Sequence, residues 1–393
     1  MEAGSSVSRR RRILLGLVSL VLAAAVWFPA AHLLFKADPD GFLRDPALEA
    51  RHVGVWKDPT RREREVATLR RGEVGEWDFM WRTFTAWSLC NAALRDPSAA
   101  RERLAVVDSI IADTLRLERE KGFRHFLLPY GKLAFKRKPE RSQFVDGEIA
   151  LMLALRRLVE EKDEYRPLLR ERVDEMARRM EGSPVFSAES YSDECWTFCN
   201  AIALAAIRIS DVLDGTDHSM LLRTWVEIAR ARLVEPKTGL LVSEYQLDGT
   251  TLDGPEGSSI WMVAHMLEVV DEEFARDQYR RAKEHLGRFF CGFGFSREWP
   301  AGLATERDID AGAVVPILEA GAGGSGMAFV GAAAFGDREY LASLLASLRC
   351  AAFPVRRDGE LRFAASNLVG DATLLYAASL GPAWAEVKRR ANR

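Results

Sequence analysis

Apolar and polar positions divide the chain into three regimes. From Ile13 to Phe35 the sequence is one unbroken apolar stretch, ILLGLVSLVLAAAVWFPAAHLLF. Its 23 residues suffice to cross the roughly 30 Å hydrocarbon layer of a bilayer as a helix. Residues 36–76 are polar and punctuated by Pro39, Pro46 and Pro59, and read as a linker or wrapping arm. Beyond them the period is helical, and no Val/Ile/Thr-rich alternating run recurs at the spacing of a sandwich or barrel.

The pattern over 77–393 predicts six long helices that begin near Trp77, Ser142, Ser192, Glu256, Ile309 and Ser366, each followed by a more charged helix. The first member of each pair is apolar on nearly all sides, as in CWTFCNAIALAAIRI, SSIWMVAHMLEVV, GAVVPILEAGAGGSGMAFVGAAAF and GDATLLYAASL. A helix apolar all round is buried all round. The second member is amphipathic, as in EYRPLLRERVDEMARRM and HSMLLRTWVEIARARLV. Six buried helices ringed by six amphipathic ones describe an all-α (α/α)6 toroid. An irregular helical bundle is the alternative, and a solenoid fits less well because its inner helices would be partly wet.

Charge adds a topology. Arg9–Arg12 precede the apolar stretch and only Lys36 closely follows it, so residues 1–12 are expected in the cytoplasm. Residues 13–35 would then be a single-pass inner-membrane anchor and the main domain periplasmic. A cleaved signal peptide ending at Ala23-Ala24-Ala25 is the rival. The balance of 55 basic and 57 acidic residues argues against a nucleic-acid partner. Five cysteines are too few for a disulfide scaffold, and six histidines give a metal cage little to draw on. No cofactor is expected; oxygen-ligated calcium on an acidic rim is the remaining metal option.

Acidic residues stand near the start of every inner helix: Asp78; Asp146 and Glu148; Asp193 and Glu194; Glu256; Asp308 and Asp310; Asp371. In a toroid these starts share one end of the ring, so the carboxylates are expected to converge on a cavity. Complementing the helix dipole, worth roughly 0.3–1 kcal/mol each, is the plainer account. Aromatics stand among them (Trp77, Trp81, Tyr191, Trp196, Tyr245, Trp261), which suits a small-molecule site. The third unit opens with Ser190-Tyr191-Ser192-Asp193-Glu194-Cys195-Trp196-Thr197-Phe198-Cys199-Asn200. Here the spacing puts Cys195 and Cys199 on one helix face. The amide of Asn200, in an apolar helix, needs a partner or a ligand. Glu244-Tyr245 and the loop Asp253–Ser259 read as a rim segment, and Arg307–Gly312 leads into a glycine-rich helix (Gly321, Gly323, Gly324, Gly326).

The run Asp193 … Cys199-Asn200 … Asp211-Val212-Leu213-Asp214-Gly215-Thr216-Asp217-His218, with the later stretch Asp271–Tyr279, resembles linalool dehydratase/isomerase, a bacterial (α/α)6 enzyme family of the extracytoplasmic space. That resemblance implies (de)hydration or isomerisation of a small alcohol or alkene by acid–base chemistry, without metal or organic cofactor, in a homo-oligomer. It carries the family's early acid to Asp78 and its second cysteine to Cys199. Its tyrosine falls at Phe84, its first cysteine at Ser190 and its histidine at Glu148. Asp78 and Glu148 are then expected to exchange protons with substrate beside Cys199. Asp146, Ser190, Tyr191, Asp193, Glu194, Trp196, Asn200, Glu244, Tyr245, Glu256, Trp261, Asp308 and Asp310 are expected to bind it. A carbohydrate-active toroid using paired carboxylates and a non-catalytic envelope binding module are the alternatives.

Overall fold

The computed structural model describes residues 9–69, 75–303 and 314–392. Helix α1 (Arg9–Ala30) carries the apolar stretch and has no buried residue. A 3-10 turn at Ala31–Leu34 leads to α2 (Pro39–Leu43), α3 (Ala47–Lys57) and α4 (Pro59–Leu69). The arm is therefore helical. Its prolines stand at helix starts, where the fixed φ and missing N–H cost nothing. Helix α3 buries Leu48, Arg51, His52, Val55 and Trp56, a stripe at helical spacing.

Six inner helices follow, each leading to a second helix: α5 (Gly75–Arg95) and α6 (Ala100–Lys121), α7 (Gln143–Val159) and α8 (Tyr165–Glu181), α9 (Thr197–Asp214) and α10 (Ser219–Arg232). The later pairs are α11 (Gly257–Leu267) and α12 (Glu272–His285), α13 (Ala322–Ala334) and α14 (Arg338–Ala351), α15 (Leu368–Ser379) and α16 (Pro382–Ala391). Helix α5 packs on α7, α7 on α9, and so on through α15, which returns to α5 and closes the ring. All of α7 except Val159 is buried, as an inner helix requires. By contrast α6 buries only Leu104, Val106, Val107, Ile110, Ile111, Thr114 and Leu117. Side-chain caps from Ser142, Asp271, Asp337 and Asn367 fix the starts of α7, α12, α14 and α15, each contributing about 1 kcal/mol.

The last pair departs from the simple pattern. Helix α16 lies across α5, α7 and α9, where Ala383 N donates to Asn91 Oδ1 (3.0 Å) and Trp384 Nε1 to the His265 carbonyl (3.0 Å). It plugs the end of the ring formed by the helix C-termini. The outer place beside α15 is taken by α3, whose Trp56 donates to Ser109 on α6 (3.1 Å) and whose His52 accepts from Trp81 on α5 (3.0 Å).

Short strands decorate the opposite end, where no strand was expected. Strands β1 (Cys195–Trp196), β2 (Glu244–Tyr245) and β3 (Thr251–Asp253) form one antiparallel sheet. Hairpins join β4 (Gly287–Phe290) to β5 (Phe293–Ser296), β6 (Val314–Val315) to β7 (Ala320–Gly321) and β8 (Pro354–Arg357) to β9 (Glu360–Phe363). Residues 314–321, expected as the start of the fifth inner helix, are thus a hairpin. The β4–β5 turn, Cys291-Gly292, has φ of 48° and 80°, a type I′ geometry that suits a two-residue hairpin.

Candidate active site

The starts of the inner helices and the strands above them enclose a cavity of about 1380 Å³. Its wall is mostly apolar, with Met80, Phe144, Phe198, Met327, Phe329 and Leu374 among the lining side chains. Carboxylates gather on one side of it: Glu76 from α5, Asp193 and Glu194 from the loop before α9, Glu244 from β2, Asp253 from β3, and Glu256. The sheet register explains part of that gathering. Trp196 pairs with Glu244 and Glu244 with Asp253, so the three stand side by side on one face.

Two neighbouring pairs of acids divide their roles by helix geometry. Positions two apart on a helix point about 200° apart. On α5, Glu76 faces the cavity and accepts a hydrogen bond from the Tyr191 hydroxyl. Asp78 does not line it. Its carboxylate accepts from Arg82 Nε (3.0 Å), and Arg82 Nη1 reaches Asp113 on α6 (2.7 Å), so the predicted catalytic Asp78 is held in a buried ion pair toward the outer layer. On α7, Asp146 faces outward to Arg172 (2.7 Å) and Arg179 (2.7 Å) on α8, with Arg141 as a third partner. Those arginines hold its carboxyl below the usual range despite burial. Asp146, expected to bind substrate, sits instead in a buried ion cluster and is not among the residues that line the cavity.

Glu148, two residues on, faces the ring interior. It is wholly buried, and apart from the Thr83 hydroxyl nearby neither carboxyl oxygen has a well-formed hydrogen-bond partner. Desolvation raises it to about 8, with Glu76 adding to the rise and the Thr83 hydroxyl offsetting part of it. A carboxyl in that state keeps its proton at neutral pH. Gly147 lets α7 approach α9 closely, since a Cβ there would meet Ala203 N at 3.3 Å and the Cys199 carbonyl at 3.4 Å. Glu148 is thereby brought within electrostatic reach of Cys199, whose thiol burial pushes well up. The Ser190 hydroxyl lies against that thiol and accepts from Trp196 N (3.4 Å).

A second buried polar chain reaches the same level from the plugged end. Glu268 Oε1 bonds His265 Nδ1 (2.8 Å), and His265 Nε2 bonds the Tyr376 hydroxyl (3.0 Å). Burial and the charges of Glu268 and Glu148 push the Tyr376 phenol up. Its ring packs on Phe84 with centroids 5.8 Å apart, so a phenol stands beside the position where the resemblance places a tyrosine.

The remaining expected residues divide as follows. Tyr191, Asp193, Glu194, Trp196, Glu244 and Glu256 line the cavity together with Cys199. Tyr191 stacks on Tyr130 with centroids 4.5 Å apart and accepts from Leu128 N (3.1 Å). Asp193 adopts φ 59° and accepts from Gln246 Nε2 (3.2 Å). Asn200 is not among the lining residues: its amide pins the preceding loop through Ala188 N (2.9 Å), Ala188 O (3.1 Å) and Trp196 O (2.9 Å). Tyr245 points away to Ser187 (2.7 Å), and Trp261 is core, donating to Ser296 (3.0 Å). Cys195 lies on β1, not on the helix of Cys199. Asp371 is turned to Arg51 of the arm (3.5 Å), with burial raising it to about 6. Asp308 and Asp310 lie outside the described residues. Glu76 was missed in the sequence because Asp78, in the same helical turn, is the more obvious acid. Among the described residues no three His, Cys, Asp or Glu side chains are placed to hold a metal ion.

Comparison with known proteins adds a family likeness over part of the chain and a likeness of fold. Residues 174–368, 195 of the 393, match the family model described as linalool dehydratase/isomerase. The search of curated proteins gives no match. Among solved structures, a family 105 glycoside hydrolase of C. acetobutylicum ATCC 824 aligns at TM-score 0.50 and 12% identity, over 86% of this chain and 99% of that one. The unsaturated glucuronyl hydrolase of Bacillus sp. GL1 aligns at 0.48 and 14%, over 78% and 86%. The GH76 alpha-mannanase of Bacteroides thetaiotaomicron aligns at 0.47 and 12%, over 80% and 87%. At such identity the first likeness bears on the fold alone. Residues 174–368 are therefore similar to the linalool dehydratase/isomerase family, within a chain built on an (α/α)6 ring.

Proposed function

We propose that this chain is a membrane-anchored acid–base enzyme that removes water from, adds water to, or isomerises a small apolar alcohol or alkene. The observation that carries this reading is the buried carboxyl of Glu148, raised by desolvation to about 8 and electrostatically coupled to Glu76 and Cys199, both of which line an apolar cavity. A neutral carboxylic acid in such a place is a general acid.

In the dehydration direction Glu148 gives its proton to the substrate hydroxyl and the C–O bond breaks to release water. Glu76, its carboxylate steadied by the Tyr191 hydroxyl, takes a proton from the adjacent carbon, and that C–H pair becomes the double bond. Proton exchange with water restores Glu148 and Glu76. The raised thiol of Cys199 stays neutral and orients the hydroxyl by hydrogen bonding. The apolar wall favours the hydrocarbon part of the substrate.

The carboxylate strip of Glu194, Glu244, Asp253 and Glu256 beside Trp196 favours a second reading, a sugar substrate. Incubating the purified full-length protein with tertiary and allylic alcohols and, separately, with a panel of oligosaccharides decides between them. The proposal expects alcohol turnover that disappears in Glu148→Gln. Sugar cleavage with untouched alcohols overturns it.

A further inference from the structure

The cavity has an apolar flank as well as its acidic one, and the apolar flank coincides with the exit of the N-terminal helix. His32 and Phe35, directly after α1, pack on Phe293 of the β4–β5 hairpin with centroids 6.3 and 6.2 Å apart. The hairpin's Gly292 lies so close that a Cβ there would meet the His32 ring at 2.2 Å. The hairpin that holds the root of α1 also lines the cavity, through Phe290 and Phe293.

Beside it, joined through the Arg297–Ala320 bridge, stands the β6–β7 hairpin. Val315 and Leu318 from this hairpin line the cavity too. Of these lining residues Phe290 (55%), Val315 (51%) and Leu318 (41%) are also exposed, and Ile317 at the hairpin tip is 97% exposed. Phe289 adds a further exposed ring. A soluble protein gains nothing from holding five large apolar side chains in water around an opening. Phe289 and Phe290 belong to the hairpin that holds the root of α1, and Val315, Ile317 and Leu318 to the hairpin bridged to it.

We infer that this rim rests in the acyl region of the bilayer that α1 spans, and that the cavity takes a membrane-dissolved apolar alcohol or alkene sideways from the lipid. The inference rests on the anchored, acid–base reading above and names its substrate class. The acidic side of the cavity then faces water, which supplies or removes the water of the reaction, while the hydrocarbon enters from the other side. Tip residues of this kind anchor a rim by partitioning, with no specific lipid contact needed.

The test uses the full chain reconstituted in phosphatidylcholine vesicles with or without brominated acyl chains. In Ile317→Trp the emission added over wild type is expected to be quenched by the brominated lipid. An added emission that is not quenched overturns the inference, whatever the enzyme turns over. A second arm compares a long-chain allylic alcohol dissolved in the vesicles with a short water-soluble homologue. The pair Phe289→Ser and Ile317→Ser, at exposed positions outside the cavity lining, is expected to lower turnover of the long substrate about tenfold, and to leave the short one unchanged. Equal loss on both overturns lateral entry. Quenching without turnover of either alcohol keeps the bilayer contact and removes the acid–base reading instead.

Discussion

A two-residue step decides the chemistry of this site. Glu76 and Asp78, and again Asp146 and Glu148, are pairs on one helix whose members point to opposite sides. The inward member of each pair meets the cavity or the ring interior and the outward member meets arginines. Glu76→Gln is accordingly expected to lower turnover by at least about a hundredfold, the usual worth of a positioned base, with folding intact. Asp78→Asn is expected to cost roughly 3 kcal/mol of stability, since it breaks a buried pair, yet to keep turnover in the folded fraction. Urea titrations beside initial rates measure both.

Glu148 carries a pH signature that a structural carboxylate lacks. Its carboxyl is raised from 4.5 to about 8 in the folded chain, so the folded protein holds a proton that the unfolded chain has lost. Stability from this group is fully present below the unfolded value and declines as pH rises toward about 8. Relative to Glu148→Gln, wild type should lose about 1.4 kcal/mol per pH unit across that window and then level off. Denaturation of both proteins at pH 5, 6, 7 and 8 reads the slope. A constant difference would mean that Glu148 is ionised in the folded state.

At the scale of elements, the glycines of α13 divide into two uses. Gly331 is a packing contact: a Cβ would meet Trp261 at 2.9 Å and Tyr279 at 3.3 Å. Gly326 lines the cavity and has open space beside it. Gly331→Ala should destabilise by roughly 1–2 kcal/mol through overpacking, whereas Gly326→Ala should stabilise by up to about 1 kcal/mol through helix propensity and narrow the range of substrates accepted. Thermal unfolding and a substrate series separate the two effects.

The inner helices were legible in the sequence because a closed ring demands helices apolar on every side, a pattern no exposed element shares. Their starts at Ser142, Glu256 and Ser366 fall within two residues of those observed. The arm helices were not legible, because prolines at helix starts look like loop punctuation. Strands of two to four residues carry no period to read, so the rim hairpins were invisible. Among site residues, which acids lie near helix starts was readable. Which of two neighbours faces inward was not, because both Asp146 and Glu148 satisfy the same composition rule.

On the scale of the whole molecule, the ring is closed by α15 on α5, plugged at one end by α16, and open at the other through strands that carry acids on one side and aromatics on the other. The N-terminal helix, long and apolar enough to span a membrane, leaves from the aromatic side. The central claim is that Glu148 passes a proton to substrate inside this ring. Carrying out the reaction in oxygen-18 water and following the alcohol by mass spectrometry tests it most directly, because breaking and remaking the C–O bond needs the Glu148 proton. Wild type is expected to exchange the heavy oxygen into the recovered alcohol, and Glu148→Gln, folded to the same extent, to exchange none. Oxygen exchange by Glu148→Gln at the wild-type rate would contradict the account.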